Sequence, residues 1–419
     1  MKFAKKKDGV FYDMYTIVFV ETMKSGSSRE AIKAAKQLGF LTVLLTAKEK
    51  LLSQRKEFPD VSQMVLMKEF SHSQIRMECM KIQKQGSIIN GIFSFVDPYV
   101  SMAAELMNEL CGSDISSEAL KKMENKILTR TSLQKNAANP VFEIFNPAED
   151  LNLFLEKVRI FPMIVKSPLS AGSRDVYLVQ NKEEMKDALK KISKLYPDRD
   201  ILIEEFLDGP QFIAEVLVSN GEIHIVAVVE QEVTKKAKFI ITGYNVLPKF
   251  DEERFPGFHD TVESIIRDLG GTVAACHLEM RFVNEKWKLI EINPRISGGA
   301  MNAMIYQAFG INLVEETLFL FLGYEAEWKR KYEKHVYTHY ITIDSYGSLL
   351  KVTGKKAASS VPGVLAVYTN PRKGTILTPA FSMGQRYGYV MATGETSEEA
   401  KKTAILAASK IKFYLEPLK

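Results

Sequence analysis

Cysteine and tryptophan are scarce in this chain, with three and two among 419 residues, and long apolar runs are missing. Each shortage removes a class of protein. Cys79, Cys111 and Cys276 cannot all pair and have no metal-ligand spacing, so a disulfide scaffold is not expected. Reduced thiols in a cytoplasmic protein fit them better. The basic start, Lys2 and Lys5 to Lys7, has the sign of a signal-peptide opening, but the apolar run behind it, Tyr15 to Val20, is short and closed by Glu21. No stretch is long enough to span a bilayer, so neither a leader nor a membrane association is expected. The net charge of +5 is small for the length and comes from scattered Lys and Arg, so nucleic acid is not an expected partner.

What remains is ordinary globular material, 46% hydrophobic and 26% charged, enough for roughly two to four domains. The first hundred residues alternate strand and helix: TIVFVE, REAIKAAKQLG, FLTVLLT, QMVLM, IINGIFSFVD, then SMAAELMNELCG. Short connections between alternating β and α predict a parallel sheet with helices on both faces. The turn Ser25 to Ser28 could cradle a small anion at a helix N-terminus, but it lacks the full dinucleotide fingerprint, and a plain tight turn is the favoured reading.

A helical stretch, SEALKKMENKILTRTSLQKN, gives way at AANP to the strands of FPMIVKSPLSAGSRDVYLV. A Lys-rich helix precedes ILIEEFL, and FIAEVLVSNG meets EIHIVAVVEQEV at an Asn220-Gly221 hairpin turn. FIITGYNVLP, Phe239 to Pro248, reads as a loop, and INLVEETLFLFLG as a helix. From Tyr337 short strands alternate with Gly/Pro turns before a last helix, SEEAKKTAILAASKIKFYL, whose Ala, Ile and Leu suit core packing or an oligomer contact. The expected divisions are 1–115, 116–330 and 331–419, with a smaller unit at about 116–203.

The chemistry concentrates in HLEMRFVNEKWKLIEINPRISGG, residues 277–299, which reads as a hairpin. Alternate strand residues share a face, so His277, Glu279 and Arg281 lie on one face, and Glu291, Asn293 and Arg295 on one face of the return strand. If those faces match, Glu279 and Glu291 are neighbours. Two carboxylates with no cation between them raise each other's pKa, and a hard divalent ion such as Mg²⁺ relieves the repulsion. A solvated polar face with surface ion pairs is the plainer alternative, though it leaves the Asn-Pro-Arg bend and Ser297-Gly298-Gly299 unexplained.

Three further stretches carry candidate groups. Lys166 ends an apolar strand before the small-residue turn Ser170, Ala171, Gly172 and Ser173, whose backbone N–H groups could approach an anion. Glu204, Glu205, Phe206 and Leu207 end a strand at a Gly-Pro turn and could present backbone groups to a flat base edge. Lys126 opens a helix in MENKILTR. Alone, Lys166 reads first as a solvated strand end and Lys126 as a solvated helix lysine, while Glu204 to Leu207 could equally be an ordinary strand end.

In this order the four stretches resemble the ATP-grasp superfamily over essentially the whole chain, most specifically in Glu279…Glu291-x-Asn293-x-Arg295. The resemblance implies an α/β fold with a Rossmann-like N-terminal domain, a nucleotide-binding unit and a β-rich C-terminal lid. It implies ATP and Mg²⁺ as cofactors, two ions, with Mn²⁺ also admissible. Lys126 and Lys166 would meet the phosphates, Ser170 to Ser173 would close over them, and Glu204 to Leu207 would hold adenine. Glu279, Glu291 and Asn293 would bind the metal, and Arg295 would stabilise phosphoryl transfer. Gln211 stands where relatives often place an acid that meets the ribose; Glu215, two pleats on, could compensate or be a solvated strand residue.

Within the superfamily the likeness is nearest to bacterial L-amino-acid ligases, which join two unprotected amino acids into a dipeptide. EINPRISGG and PGVLAVYTNPRKGTILTPA carry that likeness. It implies amino-acid substrates, an acylphosphate intermediate and a homodimer as a possible assembly. The implied substrate residues are His277, Ile241, Tyr244, Arg295, Ser297, Gly298 and Gly299. Ile241 and Tyr244 replace an acid and a histidine, which points to an apolar or differently anchored first amino acid, or to plain packing. His277 would either orient substrate or hydrogen-bond beside the metal acids, the second being favoured. Carboxylases acting through carboxyphosphate and a non-catalytic ATP-binding module are the alternatives.

Overall fold

A computed structural model describes residues 15–167, 175–235 and 239–417. Strands β1 (Tyr15–Val20), β2 (Leu41–Thr46), β3 (Gln63–Leu66) and β4 (Ile88–Phe93) form a parallel sheet in the order β3-β2-β1-β4. Their apolar runs are buried beneath the helices Ser27–Gln37, His72–Lys84 and Val100–Cys111, as a parallel sheet requires. The strand order reverses between β1 and β4. The loops leaving those two strands therefore open a crevice at the carboxyl edge of the sheet, and they carry the Ser25–Ser28 turn and Asp97.

Strands β5 (Phe142–Phe145), β6 (Met163–Lys166), β7 (Val176–Val179) and β8 (Ile201–Glu205) make a second, antiparallel sheet ordered β5-β8-β6-β7. It has its own apolar cluster, including Phe154, Met163, Val165, Leu189 and Ile203. β5 and the helix Leu151–Lys157 are absent from the sequence-based expectation. The strand is only four residues long, and the helix signal is its cap: Asp150 accepts from the backbone N–H of Asn152 at 2.8 Å and of Leu153 at 3.0 Å. The helices Ser117–Glu124 and Lys126–Ser132 pack against the large sheet's side of the molecule rather than this small sheet.

The large sheet contains β9 (Gln211–Ser219), β10 (Glu222–Lys235), β11 (Phe239–Val246), β12 (Ala274–Val283), β13 (Lys286–Asn293), β14 (His335–Ile341), β16 (Val364–Thr369) and β18 (Gly388–Gly394). Its order is β13-β12-β9-β10-β11-β14-β18-β16. β15 (Gly347–Thr353), β17 (Ile376–Leu377) and β19 (Lys412–Glu416) form a separate three-stranded sheet ordered β17-β15-β19. One apolar cluster joins the parallel sheet to the large sheet, from Ile17 and Phe93 through Val216 and Leu278 to Phe309.

Two expectations need correction. Phe239–Val246 is a sheet strand, paired with β10 on one side and β14 on the other, and not a loop. Gly243, which suggests a turn in sequence, answers a close approach: a Cβ there would lie 1.9 Å from the Tyr337 hydroxyl oxygen. The last helix ends at Ser409, and Lys412–Glu416 forms β19 with alternating exposure. Its buried face is Ala400, Ala404, Ala407 and Ala408, while Ile405 and Leu406 are exposed. Among the described residues no helix is long and apolar enough to cross a membrane.

Candidate active site

The register of the β12–β13 hairpin sets Glu279 opposite Glu291 and His277 opposite Asn293. Pairing then slips, from Glu279–Glu291 to Met280–Leu289, so Ile290 bulges out of the ladder. Arg130, from the helix Lys126–Ser132, covers that bulge: its Nη2 donates to the carbonyls of Leu289 at 3.0 Å and Ile290 at 2.6 Å. The two acids answer differently to their surroundings. Burial, and next the charge of Glu291, pushes Glu279 up to about 7. Burial works the same way on Glu291, but the charges of Lys126 and Lys166 outweigh it and hold that carboxyl below its usual range. Lys126 Nζ lies 3.5 Å from Glu291 Oε1.

Lys166 is not a solvated strand end. It is buried, its Nζ 2.5 Å from Glu204 Oε2, while Arg130 Nε meets Glu204 Oε1 at 2.5 Å. Burial pushes the Lys166 ammonium below its usual range, against the pull of Glu204. The stretch after Glu204 already spends backbone groups within the protein: Phe206 N–H donates to Pro162 O at 3.1 Å, and Leu207 O accepts from Arg281 Nη1. Glu205 Oε1 accepts from Val141 N–H at 2.9 Å. Ser170 to Ser173 lie outside the described residues.

Gln211 is buried and reaches the acids. Its Nε2 donates to Gln231 Oε1 at 2.8 Å and Glu279 Oε2 at 3.2 Å, and its Oε1 accepts from Arg281 Nε at 2.9 Å. Glu215 is fully buried too, its carboxylate accepting the Ser297 N–H at 3.2 and 3.1 Å. Burial pushes it up to about 7, against those hydrogen bonds. It is therefore no solvated strand residue; it anchors the Ser297-Gly298-Gly299 turn.

His277 has a fixed tautomer. Its Nδ1 lies 2.7 Å from the Arg295 carbonyl, which only accepts, so Nδ1 carries the proton. Nε2 then accepts from Asn293 Nδ2 at 3.2 Å. Burial, and then the charge of Arg295, pushes the imidazole down to about 4, so the ring is neutral near pH 7. Committing the Asn293 amide nitrogen to His277 leaves Oδ1 as the group available to a cation.

Arg295 does not hang free. Its Nε and Nη2 donate to Asp97 Oδ2 at 2.9 and 2.5 Å, which ties the hairpin's end to the loop after β4. The turn that follows also meets the loop after β1. Gly26 has φ +81° and a Cβ there would lie 2.8 Å from Gly299 N, so only glycine permits this contact. Ile241 and Tyr244 are both buried in β11, opposite Val233 and Gln231. Tyr244 stacks edge-on against Tyr340, their centroids 5.5 Å apart.

The hairpin, Lys126, Lys166, Glu204 and Gln211 thus meet in one site, with His277, Glu215, Asp97 and the Ser-Gly-Gly turn beside it. Sequence reasoning missed Arg130, Asp97 and Gln231. Arg130 is four residues after Lys126, on the same helix face, and Asp97 follows a parallel strand at the switch point; both signals are legible in hindsight of the fold. Gln231 carries no signal of its own. The donor set of Glu279, Glu291 and Asn293 is all oxygen, which suits a hard cation such as Mg²⁺. Among the described residues no group of three or more His, Cys, Asp or Glu is placed to hold a metal ion.

The fold is an ATP-grasp fold. Residues 159–303 match the ATP-grasp domain family, and residues 339–416 match the L-amino acid ligase C-terminal domain 2. The fold resembles the crystal structure of an L-amino acid ligase from Bacillus licheniformis, with a TM-score of 0.82 and 19% identity, covering 97% of this chain and 100% of that one. It also resembles the biotin carboxylase domain dimer of a 2-oxoglutarate carboxylase from Hydrogenobacter thermophilus, in complex with MgADP and bicarbonate. That likeness has a TM-score of 0.66 and 15% identity, covering 97% of this chain and 92% of the other. Dapdiamide A synthase from Enterobacter agglomerans is 23% identical over 242 residues, 56% of this chain and 57% of the synthase. The chain spans about half the length of the curated relatives it matches first.

Proposed function

We propose that the protein is an ADP-forming carboxylate–amine ligase that joins two unprotected L-amino acids into a dipeptide. The observation that carries this is the register-fixed Glu279–Glu291 pair, flanked by Lys126 and by an Asn293 whose amide nitrogen donates to His277 and so leaves its oxygen free to face a cation. Such a site binds a triphosphate through magnesium and places its terminal phosphorus for attack. Magnesium, when bound, draws charge from the transferring phosphoryl group. Lys126 and Lys166 hold phosphate oxygens, and Lys166 leaves its pair with Glu204 to do so. Arg295, aimed by Asp97, faces the charge that develops. A carboxylate oxygen of the first amino acid attacks the γ-phosphorus, and the bond to the β–γ bridging oxygen breaks, releasing ADP. The amine of the second amino acid attacks the acyl carbon of that acylphosphate; inorganic phosphate leaves and the nitrogen gives up a proton.

The family matches at residues 159–303 and 339–416 support the ligase reading, and the apolar Ile241 beside Tyr244 supports an apolar first amino acid. The test is phosphate release from ATP across a matrix of amino-acid pairs, with products identified by mass. ADP, phosphate and a dipeptide in equal amounts are expected, with apolar first residues turned over faster than acidic ones. Phosphate release that depends on bicarbonate and yields no dipeptide would replace this reading with a carboxylase acting through carboxyphosphate. Nucleotide binding without phosphate release under any pair would leave a binding module.

A further inference from the structure

The strands of the C-terminal third bring a second guanidinium to the site. Arg386 precedes β18, and its Cζ lies 3.9 Å over the Tyr340 ring and 5.8 Å over the Tyr244 ring. Both tyrosines border the chemistry. A Cβ on Gly299 would lie 3.5 Å from the Tyr340 hydroxyl, and Tyr244 sits opposite Gln231, the partner of Gln211, which reaches Glu279. Burial raises the Tyr244 phenol, and the charges of Arg386 and Glu279 act on it in opposite senses.

Arg386, half-buried, differs from three arginines that meet a carboxylate. Arg29 is paired with Asp60, Arg130 with Glu204 and Arg295 with Asp97. Among the described residues Arg386 has no ion pair, and its Nη1 is buried without a hydrogen-bond partner. A shielded guanidinium without a counter-charge is costly, and its planar fork matches a carboxylate. Resting on the ligase reading, the reaction offers one such group. Joining two free amino acids consumes one carboxylate and leaves the other, which must be held away from the phosphoryl donor. Arg295 is already engaged by Asp97; Arg386 meets Tyr244 but no carboxylate, and its Nη1 is unpartnered.

We propose that Arg386 binds the α-carboxylate of the second, amine-donating amino acid, the carboxylate that survives in the product. The Tyr340 ring beneath it, with Tyr244 edge-on to that ring, holds the guanidinium in place, and the amine of the bound amino acid then points back toward Glu279 and Glu291.

The test is titration calorimetry of the full chain with ADP and Mg²⁺ present, using a panel of L-amino acids and the matching α-carboxamides. The wild-type protein is expected to bind at least one acid about tenfold more tightly than its carboxamide, the scale of a charge-assisted pair. Arg386→Gln should erase that preference and leave ADP affinity within about twofold. Arg386→Lys, which keeps the charge but not the fork, should retain only part of it, and it takes the place of the Gln variant should that variant unfold. Equal binding of acid and carboxamide by the wild type, or a preference that persists in Arg386→Gln, overturns the assignment. So does a loss confined to ADP, which would give the guanidinium to the nucleotide, or a raised KM for the activated amino acid alone. The binding readout needs no turnover. Absence of dipeptide in the product assay therefore removes the ligase reading, whereas a carboxylate preference that ignores Arg386 removes only this inference.

Discussion

Arg295 and Asp97 stand 198 residues apart in the chain, yet two guanidinium nitrogens of one converge on a single carboxylate oxygen of the other. The pair joins the hairpin that carries Glu279 and Glu291 to the carboxyl edge of the parallel sheet. Asp97→Asn keeps the shape and removes the charge that aims Arg295. Turnover, measured as phosphate release, is expected to fall by about 10²-fold, the cost of a small misplacement of a group that acts in the transition state. ADP affinity should stay within about twofold. Unchanged turnover would mean that Arg295 needs no such orientation.

Arg130 and Lys166 share the buried Glu204, so the pair and its neighbour behave as one unit. Arg130→Met strands half of the carboxylate and uncovers the bulge carbonyls, and should cost ~3 kcal/mol of stability in urea unfolding. Glu204→Gln alone should also destabilise. The double variant should lose clearly less than the sum of the two, by about 1 kcal/mol or more. Additive losses would show that the two residues are not coupled.

Glu215 gives the pH prediction. Its folded pKa, about 7, is raised above the ordinary carboxyl value, so between roughly pH 4.5 and 7 the folded state holds a proton that the unfolded chain has released. Stability from this group is therefore greatest in acid, declines as pH rises through that window and is lowest above it. Glu215→Gln, which can still accept the Ser297 N–H, removes the decline. Relative to wild type it should gain up to ~3 kcal/mol on passing from pH 5 to pH 8, read from unfolding midpoints in EDTA. His277 acts in the opposite direction, because its lowered pKa, about 4, makes stability rise between about pH 4 and 6.5; it is common to both proteins and cancels in the comparison.

Gly243 gives a packing prediction. Alanine there drives its methyl group into the Tyr337 hydroxyl, which donates to Glu232 Oε2 at 2.7 Å inside the sheet. Gly243→Ala should cost about 2–3 kcal/mol by overpacking and loss of that hydrogen bond. Adding Tyr337→Phe, which removes the colliding oxygen, should recover part of the loss in thermal unfolding. No recovery would place the strain elsewhere.

The alternation of Glu279, Glu291, Asn293 and His277 was legible because a strand's period of two survives any packing, and the register then set the acids opposite each other. The parallel sheet was legible from its unbroken apolar runs. Phe239–Val246 was not, because its glycine answers a tyrosine almost a hundred residues later, and such close approaches leave no local trace. Arg130 and Asp97 were hidden for the same reason: their meaning lies in long-range partners, Glu204 and Arg295. Gln211 was read toward the ribose, and its bonds to Glu279 and Arg281 depend on the pairing of β9 with β12.

The ladder that begins at the hairpin of acids continues without interruption through β11 and β14 to β18 and β16, on the far side of residue 330. Strands tied edge to edge in this way transmit bending as one plate. The strand that follows Arg386 and the strands of Glu279 and Glu291 are thereby parts of one ladder, while the small sheet of β5 to β8 shares no strand pairing with it and is tied to it by side chains, Arg130 on Glu204 and Lys288 near Glu205. Under the ligase reading, the spacing of the two amino-acid positions would be set by strand pairing alone, and the small sheet's place by a few side-chain contacts.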